Sequence, residues 1–214
     1  MLIVGAKGFA KEVLEICHQN DMLDGLVFYD DINEDVPEEL YGRFPVLTTL
    51  EQAKTYFEKI DNRFTVGIGN PLLREKLFLK FLSCGGRLIS TISQKADIGS
   101  YNVKIGEGAN ILDGVKISND VTIGIMPIIY YNSVITHDVI LGNYVEISPS
   151  VNLLGRCKIG DFCKIGTNSV VFPDVEIGEN TIIGAGTVVN KDLPANCTAV
   201  GVPVRIIEKK QKTN

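Results

Sequence analysis

Two histidines, His18 and His137, are the side chains in this sequence best suited to take up and release a proton near neutral pH. His18 falls in an apolar helical stretch and reads as structural or solvent-facing. His137 stands in Asn132-Ser133-Val134-Ile135-Thr136-His137-Asp138. A histidine can serve as general base, and an adjacent carboxylate such as Asp138 can fix its tautomer and favour the imidazolium. Gly155, in Leu154-Gly155-Arg156, departs from the spacing that other glycines of this region keep. Near the start, Gly5-Ala6-Lys7-Gly8 is a glycine turn before a helix, a place suited to phosphate. It is Gly-x-x-Gly and not G-x-G-x-x-G, so a tight turn without ligand stays open. Asp30-Asp31 could accept bonds from a ribose or a base N–H, or be a solvated turn.

The element that must position His137 is a repeat. In steps of six from Ile105, the chain carries Ile111, Ile117, Ile123, Ile129, Ile135, Leu141, Ile147, Leu153, Ile159, Ile165, Val171, Ile177, Ile183 and Val189. No helix period produces this series. The next position is often glycine, as at Gly106, Gly124, Gly142, Gly160, Gly166, Gly178 and Gly184. Glycine there suits either an unusual dihedral or a close backbone approach. Four residues after the aliphatics, from Ala109 to Thr187, the position is small or β-branched, with Pro127 the exception. Fifteen hexads, three to a coil, predict a parallel β-helix of five coils whose aliphatics stack inside a triangular prism. Cys157 and Cys163 occupy the small inward position, so they read as packing rather than as nucleophiles or metal ligands.

The N-terminal third alternates strand and helix signals. Leu2–Ala6 predicts a buried strand, followed by a helix with Val13-Leu14-x-Ile16-Cys17 as its apolar stripe. Leu26–Tyr29 and Thr65–Gly69 predict two further strands. Asn70-Pro71 opens a helix through Leu82, with Asn70 as N-cap and Pro71 at its first position. The expected architecture is a small Rossmann-like α/β domain with a parallel sheet over 1–85. An all-β parallel β-helix follows over 86–214, with hexads at 105–194 and Arg87–Ser100 as the joining segment. Asp30-Asp31 and the first glycine turn then fall at strand C-terminal ends, where open α/β sheets bind ligands.

Composition narrows the functions. Apolar residues are 45% of the 214, enough for a substantial core, and the net charge is −5. That balance gives no electrostatic footprint for nucleic acid or an anionic membrane. No targeting segment or bilayer-spanning run is expected. Five cysteines without a C-x-x-C predict free thiols in a reducing, cytoplasmic compartment.

These features together closely resemble the bacterial sugar O- and N-acetyltransferases of the hexapeptide-repeat class, which include sialic acid O-acetyltransferases and UDP-4-amino-sugar N-acetyltransferases. The motifs carrying the resemblance are Gly5-Ala6-x-Gly8-Phe9, Tyr29-Asp30-Asp31, Ile68-Gly69-Asn70 with Arg74, the hexads, and the closing Gly201-Val202-Pro203-Val204-Arg205. The resemblance implies a left-handed β-helix, a homotrimer, and acetyl-CoA in the groove between neighbouring subunits. Gly8, Asp30, Asp31 and Asn70 would bind a nucleotide-linked sugar. Gly155, Gly166, Thr167, Gly184, Ala185 and Arg205 would bind acetyl-CoA, and the Gly155 amide would also steady the oxyanion. His137 and Asp138 would be catalytic, by direct transfer without an acyl-enzyme and without a metal. The chain departs from the UDP-amino-sugar type at Glu146, where relatives often carry a second histidine, and at Val204 and Arg205, where the usual residues are alanine and lysine.

Other readings of the repeat fare worse. A γ-class carbonic anhydrase needs three histidines on zinc, and the repeat has one. A nucleotidyltransferase would need a larger N-terminal domain. A non-catalytic scaffold is the alternative from another class, and O-acetylation of sialic acid or another sugar hydroxyl is the alternative within it.

Overall fold

A periodic sequence builds a periodic backbone, and the computed structural model, which describes residues 1–33 and 35–209, shows how. The chain forms two units, Met1–Gln94 and Lys95–Asn214.

The first unit runs β1 (Leu2–Val4), α1 (Gly8–Gln19), β2 (Val27–Tyr29), β3 (Glu39–Leu40), β4 (Phe44–Leu47), α2 (Leu50–Lys59), β5 (Arg63–Val66), α3 (Pro71–Ser83) and β6 (Arg87–Leu88). Its sheet has the order β3-β4-β2-β1-β5-β6, parallel except for β3. Every residue of β1 and β2 is buried, as expected where both faces of a parallel sheet are covered. The chain leaves β1 toward β2 and β4, then returns to its other side at β5. Loops at the C-terminal ends of β1, β2 and β5 therefore converge at a switch in strand order. Asn70 caps α3 by accepting from Leu73 N–H at 3.0 Å, with Pro71 in the first turn. Several features went unread in the sequence, among them strands β3 and β4 and the whole of helix α2. The capping box of Thr49 and Gln52 starts α2, and Arg87–Leu88, expected within the joining segment, pairs with β5 as the last strand.

The second unit is a left-handed parallel β-helix with three flat faces. The first face holds Asn110–Ile111, Ile128–Ile129, Glu146–Ile147, Lys164–Ile165 and Ile182–Ile183, then Cys197–Val200 and the antiparallel Arg205–Lys209. The second holds Asp97–Ile98, Lys116–Ile117, Val134–Ile135, Asn152–Leu153, Val170–Val171 and Val188–Val189. The third holds Lys104–Ile105, Thr122–Ile123, Ile140–Leu141, Lys158–Ile159 and Glu176–Ile177. Stacked aliphatics are eighteen residues apart, as in Ile117–Ile135–Leu153, and both inward positions of each hexad are buried through the middle coils. The prism begins before the first read hexad. Ile98 pairs with Ile117 at an offset of nineteen, an irregularity that hid it from a search in sixes.

Of the two reasons for glycine after each aliphatic, close approach is the operative one. A Cβ on Gly124 would lie 2.5 Å from Asn143 Oδ1 and 2.7 Å from the backbone of Gly142. The left-handed dihedrals fall two residues later, at fourteen consecutive corners from Gly108 to Gly186, and most of those corners are not glycine. Each such conformation costs about 1–2 kcal/mol for an L-residue. Ladder hydrogen bonds from the corner N–H to the coil below hold it in place, as from Asp138 to Asn119 O.

Candidate functional site

His137 projects from the edge between the second and third faces, two residues after the inward Ile135. Asp138 is the left-handed corner residue of that coil, with φ of 60°. Aspartate tolerates this region better than most residues. From that position its Oδ2 lies 2.7 Å from His137 Nδ1. One coil on, at the same point of the edge, stands Gly155. A Cβ there would meet His137 Cε1 at 2.6 Å and Nε2 at 2.8 Å. The ring therefore lies in space that a side chain at 155 would fill, with Nδ1 engaged by Asp138 and Nε2 without a partner among the described residues.

The Gly155 N–H is also open. At the third-face corners, Asn143 Oδ1 caps Ile125 N–H at 3.0 Å and Asp161 Oδ1 caps Asn143 N–H at 2.7 Å. The residue standing over Gly155 is Pro173, which has no acceptor side chain. Among the described residues no acceptor takes the Gly155 N–H. A cleft of about 460 Å³ leads from His137 across the second face, lined by Asp97, Lys116, Val134 and Thr136 among others. An imidazole with one nitrogen beside a carboxylate and an uncommitted amide donor next to it can serve acyl transfer.

The other expected coenzyme residues are not at this edge. Gly166-Thr167 and Gly184-Ala185 follow Ile165 and Ile183, so they line the edge between the first and second faces. Arg205 is exposed in the C-terminal hairpin. Glu146 lies on the first face, 3.2 Å from Lys164 Nζ without the alignment of a hydrogen bond. Cys157 and Cys163 are fully buried, and burial pushes both thiols up to about 12, so neither is a nucleophile. Among the described residues no group of three or more His, Cys, Asp or Glu could hold a metal, and no helix is long and apolar enough to cross a membrane.

A second cluster gathers at the strand switch of the first unit, around a cleft of about 150 Å³ lined by Gly5, Tyr29, Asp30, Asp31, Ile68 and Leu77 among others. Gly8 opens α1, and a Cβ on it would meet nothing within 4 Å. Asp30 turns back into its own loop. Its Oδ1 accepts from Ile32 N–H at 3.1 Å and Asn33 N–H at 3.0 Å, and both its oxygens take the Asn33 amide. Asp31 Oδ2 instead accepts from Tyr29 Oη at 2.9 Å and Lys80 Nζ at 2.9 Å. Burial pushes the Asp31 carboxyl up, but the bonds from Lys80 and Tyr29 outweigh it and hold the group below the usual carboxylate range. Asn70 spends its side-chain oxygen on the α3 cap. The fully buried Arg74 donates to Gly69 O at 2.7 Å and fixes the loop after β5. Sequence reasoning did not assign a role to Lys80, which lies 49 residues from its carboxylate.

The comparisons with known proteins match both units. Residues 1–81 match the PglD N-terminal domain, and residues 156–191 match the bacterial transferase hexapeptide (six repeats). GDP-perosamine N-acetyltransferase of Escherichia coli O157:H7 is 30% identical over 97% of this chain and 96% of its own length. The chain belongs to the hexapeptide-repeat sugar acetyltransferases. A solved perosamine N-acetyltransferase from Caulobacter crescentus, a histidine-to-asparagine mutant in complex with CoA and GDP-perosamine, superimposes with a TM-score of 0.86. It is 32% identical, over 97% of this chain and 96% of that one. WeeI from Acinetobacter baumannii AYE gives a TM-score of 0.87 at 31% identity, over 96% and 98%. The chain spans about half the length of the first curated relatives it matches, at 55% and 47%.

Proposed function

We propose that this protein moves an acetyl group from acetyl-CoA to the amino group of a nucleotide-linked amino sugar, with His137 as general base. The observation that carries the reading is the stack of Asp138, His137 and Gly155 on one edge of the prism. The thioester supplies the electrophilic acyl carbon. His137 Nε2 takes the proton that the acceptor amine loses as it attacks, while Asp138 holds Nδ1–H and steadies the imidazolium. The Gly155 N–H donates to the acyl oxygen as charge gathers there. The imidazolium then returns the proton to the departing thiol sulfur, and no residue of the chain is acylated.

The relative solved with CoA and GDP-perosamine supports the choice of acceptor class. The first unit would hold the nucleotide at the strand switch, with Gly8 at the α1 N-terminus and Asp31 at the cleft mouth. Acetyl-CoA would run between Gly155 of one subunit and Gly166, Thr167, Gly184 and Ala185 of a neighbour, with Arg205 toward a phosphate. These residues stand on two different edges of the prism, so a single chain does not bring them into one site. A homotrimer is the assembly that would. Light scattering should give three times the 23.4 kDa chain mass, and a stable monomer at micromolar concentration would refute this arrangement.

Within the first unit, Asp30 and Asp31 should part ways. Asp31→Ala should raise the acceptor KM about threefold to twelvefold, the loss of one hydrogen bond of roughly 0.5–1.5 kcal/mol, and leave the acetyl-CoA KM unchanged. Asp30→Ala should act on the same constant by loosening the loop, with a lower Tm besides. A shift in the coenzyme KM instead would mean that the units do not divide the substrates in this way.

The function itself is tested by thiol release from acetyl-CoA against UDP- and GDP-linked 4-amino sugars and sialic acid. Turnover with a nucleotide-linked amino sugar is expected. Turnover with sialic acid alone would move the reading to O-acetylation, and no thiol release with any acceptor would return it to a scaffold.

A further inference from the structure

The loop after β2 and helix α3 form opposite sides of the cleft at the strand switch, and one side chain ties them together. Lys80, in the last turn of α3, reaches Asp31 Oδ2 at 2.9 Å and Tyr29 Oη at 3.3 Å. Its ammonium also lies 5.2 Å from the centre of the Tyr29 ring and 5.8 Å from that of Phe81. The Tyr29 ring is itself wedged edge-on against Phe81 at 4.8 Å. Two groups from two elements, the Lys80 ammonium and the Tyr29 hydroxyl, thus share one carboxylate oxygen. Among the described residues, the other oxygen, Oδ1, makes no hydrogen bond to another residue. Asp31 is therefore a carboxylate fixed at one end and open at the other, at the mouth of a cleft lined on its far side by Ile68, Leu73 and Leu77.

We propose that Lys80 is a positioning residue for the acceptor nucleotide: it fixes the Asp31 carboxylate so that Oδ1 faces one N–H or O–H donor of the bound nucleoside. This rests on the reading of the first unit as the nucleotide-holding part. A lone aspartate at a loop end would sample several rotamers and would lose freedom on binding. Lys80 and Tyr29 remove that freedom beforehand, and the open oxygen of an ionised carboxylate is a strong acceptor. Among the described residues, the charged and titratable groups around Asp31 are few. Lys80 faces it from α3 and Tyr29 from β2, the neighbouring Asp30 is turned into its own loop, and Lys7 pairs with Asp35 at 2.6 Å. Among the described residues, Lys80 is thus the cation that holds the Asp31 carboxyl below its ordinary range.

The test is kinetic and direct. Lys80→Met keeps a good helix former on a partly exposed face, so the fold should persist, with Lys80→Arg as the charge-keeping control. Lys80→Met should raise the acceptor KM on the order of tenfold, within the range of coupling between contacting residues, with kcat and the acetyl-CoA KM unchanged. The pH profile separates positioning from a general loss of structure. With the cation gone, Asp31 takes up a proton at higher pH than in the wild type, so the acceptor KM of Lys80→Met should climb as pH falls toward the ordinary carboxylate range of about 4. The wild type and Lys80→Arg should begin to climb only at lower pH. Calorimetry with GDP, UDP and dTDP supplies the readout without turnover, and Lys80→Met should weaken whichever diphosphate the wild type binds. If wild-type protein binds one of them and Asp31→Ala weakens it but Lys80→Met does not, the role of Lys80 is overturned and the nucleotide reading stands. If wild-type protein binds none of the three, both fall together.

Discussion

Replacing His137 by alanine is expected to lower kcat by about 10²–10⁴-fold, the usual contribution of general base catalysis, while acetyl-CoA still binds. The expectation follows from geometry. His137 Nε2 is the open nitrogen of a ring whose other nitrogen is 2.7 Å from Asp138 Oδ2, and it stands beside the open amide of Gly155. An amino-sugar acceptor arrives largely as an ammonium ion near neutral pH, so a proton must leave before or during attack. Asp138→Ala should cost less, because the base remains and loses only its orienting partner. Wild-type kcat/KM should fall on the acid side as the imidazole protonates, and His137→Ala should flatten that limb. The side chains of both residues are more than half exposed in the single chain, so neither change should unfold the β-helix. Near-normal kcat with an unchanged pH profile in His137→Ala would sink the mechanism and leave the fold and family standing.

The second large effect concerns a residue without a side chain. Gly155→Ala places a methyl group where the His137 ring now lies, 2.6 Å from Cε1 and 2.8 Å from Nε2. Gly155 does not adopt a left-handed backbone conformation, so alanine brings no dihedral strain there. The ring is the group that must give way, and it is an exposed side chain that can turn aside at small cost in stability. Catalysis is less forgiving. A displacement of about 1 Å between reacting groups can cost about 10²-fold, and the new methyl also crowds the approach to the 155 amide. The expected outcome is a kcat lower by about that factor with Tm nearly unchanged. A mutant with normal kcat would show that the ring does not work from this position.

The β-helix was legible in the sequence because its stabilising unit is local and repeated. Each hexad must supply one large and one small inward residue, and stacking at eighteen residues then follows from the count alone. The pairing of His137 with Asp138 was legible for the same reason, since neighbours at an edge need no distant chain segment to meet. The cap of α3 at Asn70-Pro71 is likewise a local choice. Periodicity could not say whether the hexad glycines served dihedral strain or close approach, because that depends on the coil above each one. The backbone answers with close approach, and assigns the left-handed corners to residues such as Asp138 and Tyr144.

What only tertiary structure decided lies where side chains choose among several partners. In the sequence Asp30 and Asp31 are equivalent acceptors. Their loop sends the first into Asn33 and its own backbone and the second to Lys80, because the bend after β2 places one carboxylate over the turn and the other toward α3. Gly155 was noticed for its irregular spacing. Its meaning as the space occupied by His137 appears only once successive coils lie in contact. The buried Arg74 is held by carbonyl oxygens of the preceding loop, a role that no residue pattern encodes. The division has one physical cause. Burial of apolar side chains follows period and can be counted along a chain, whereas a hydrogen bond between polar groups is decided by angles and distances that exist only after folding.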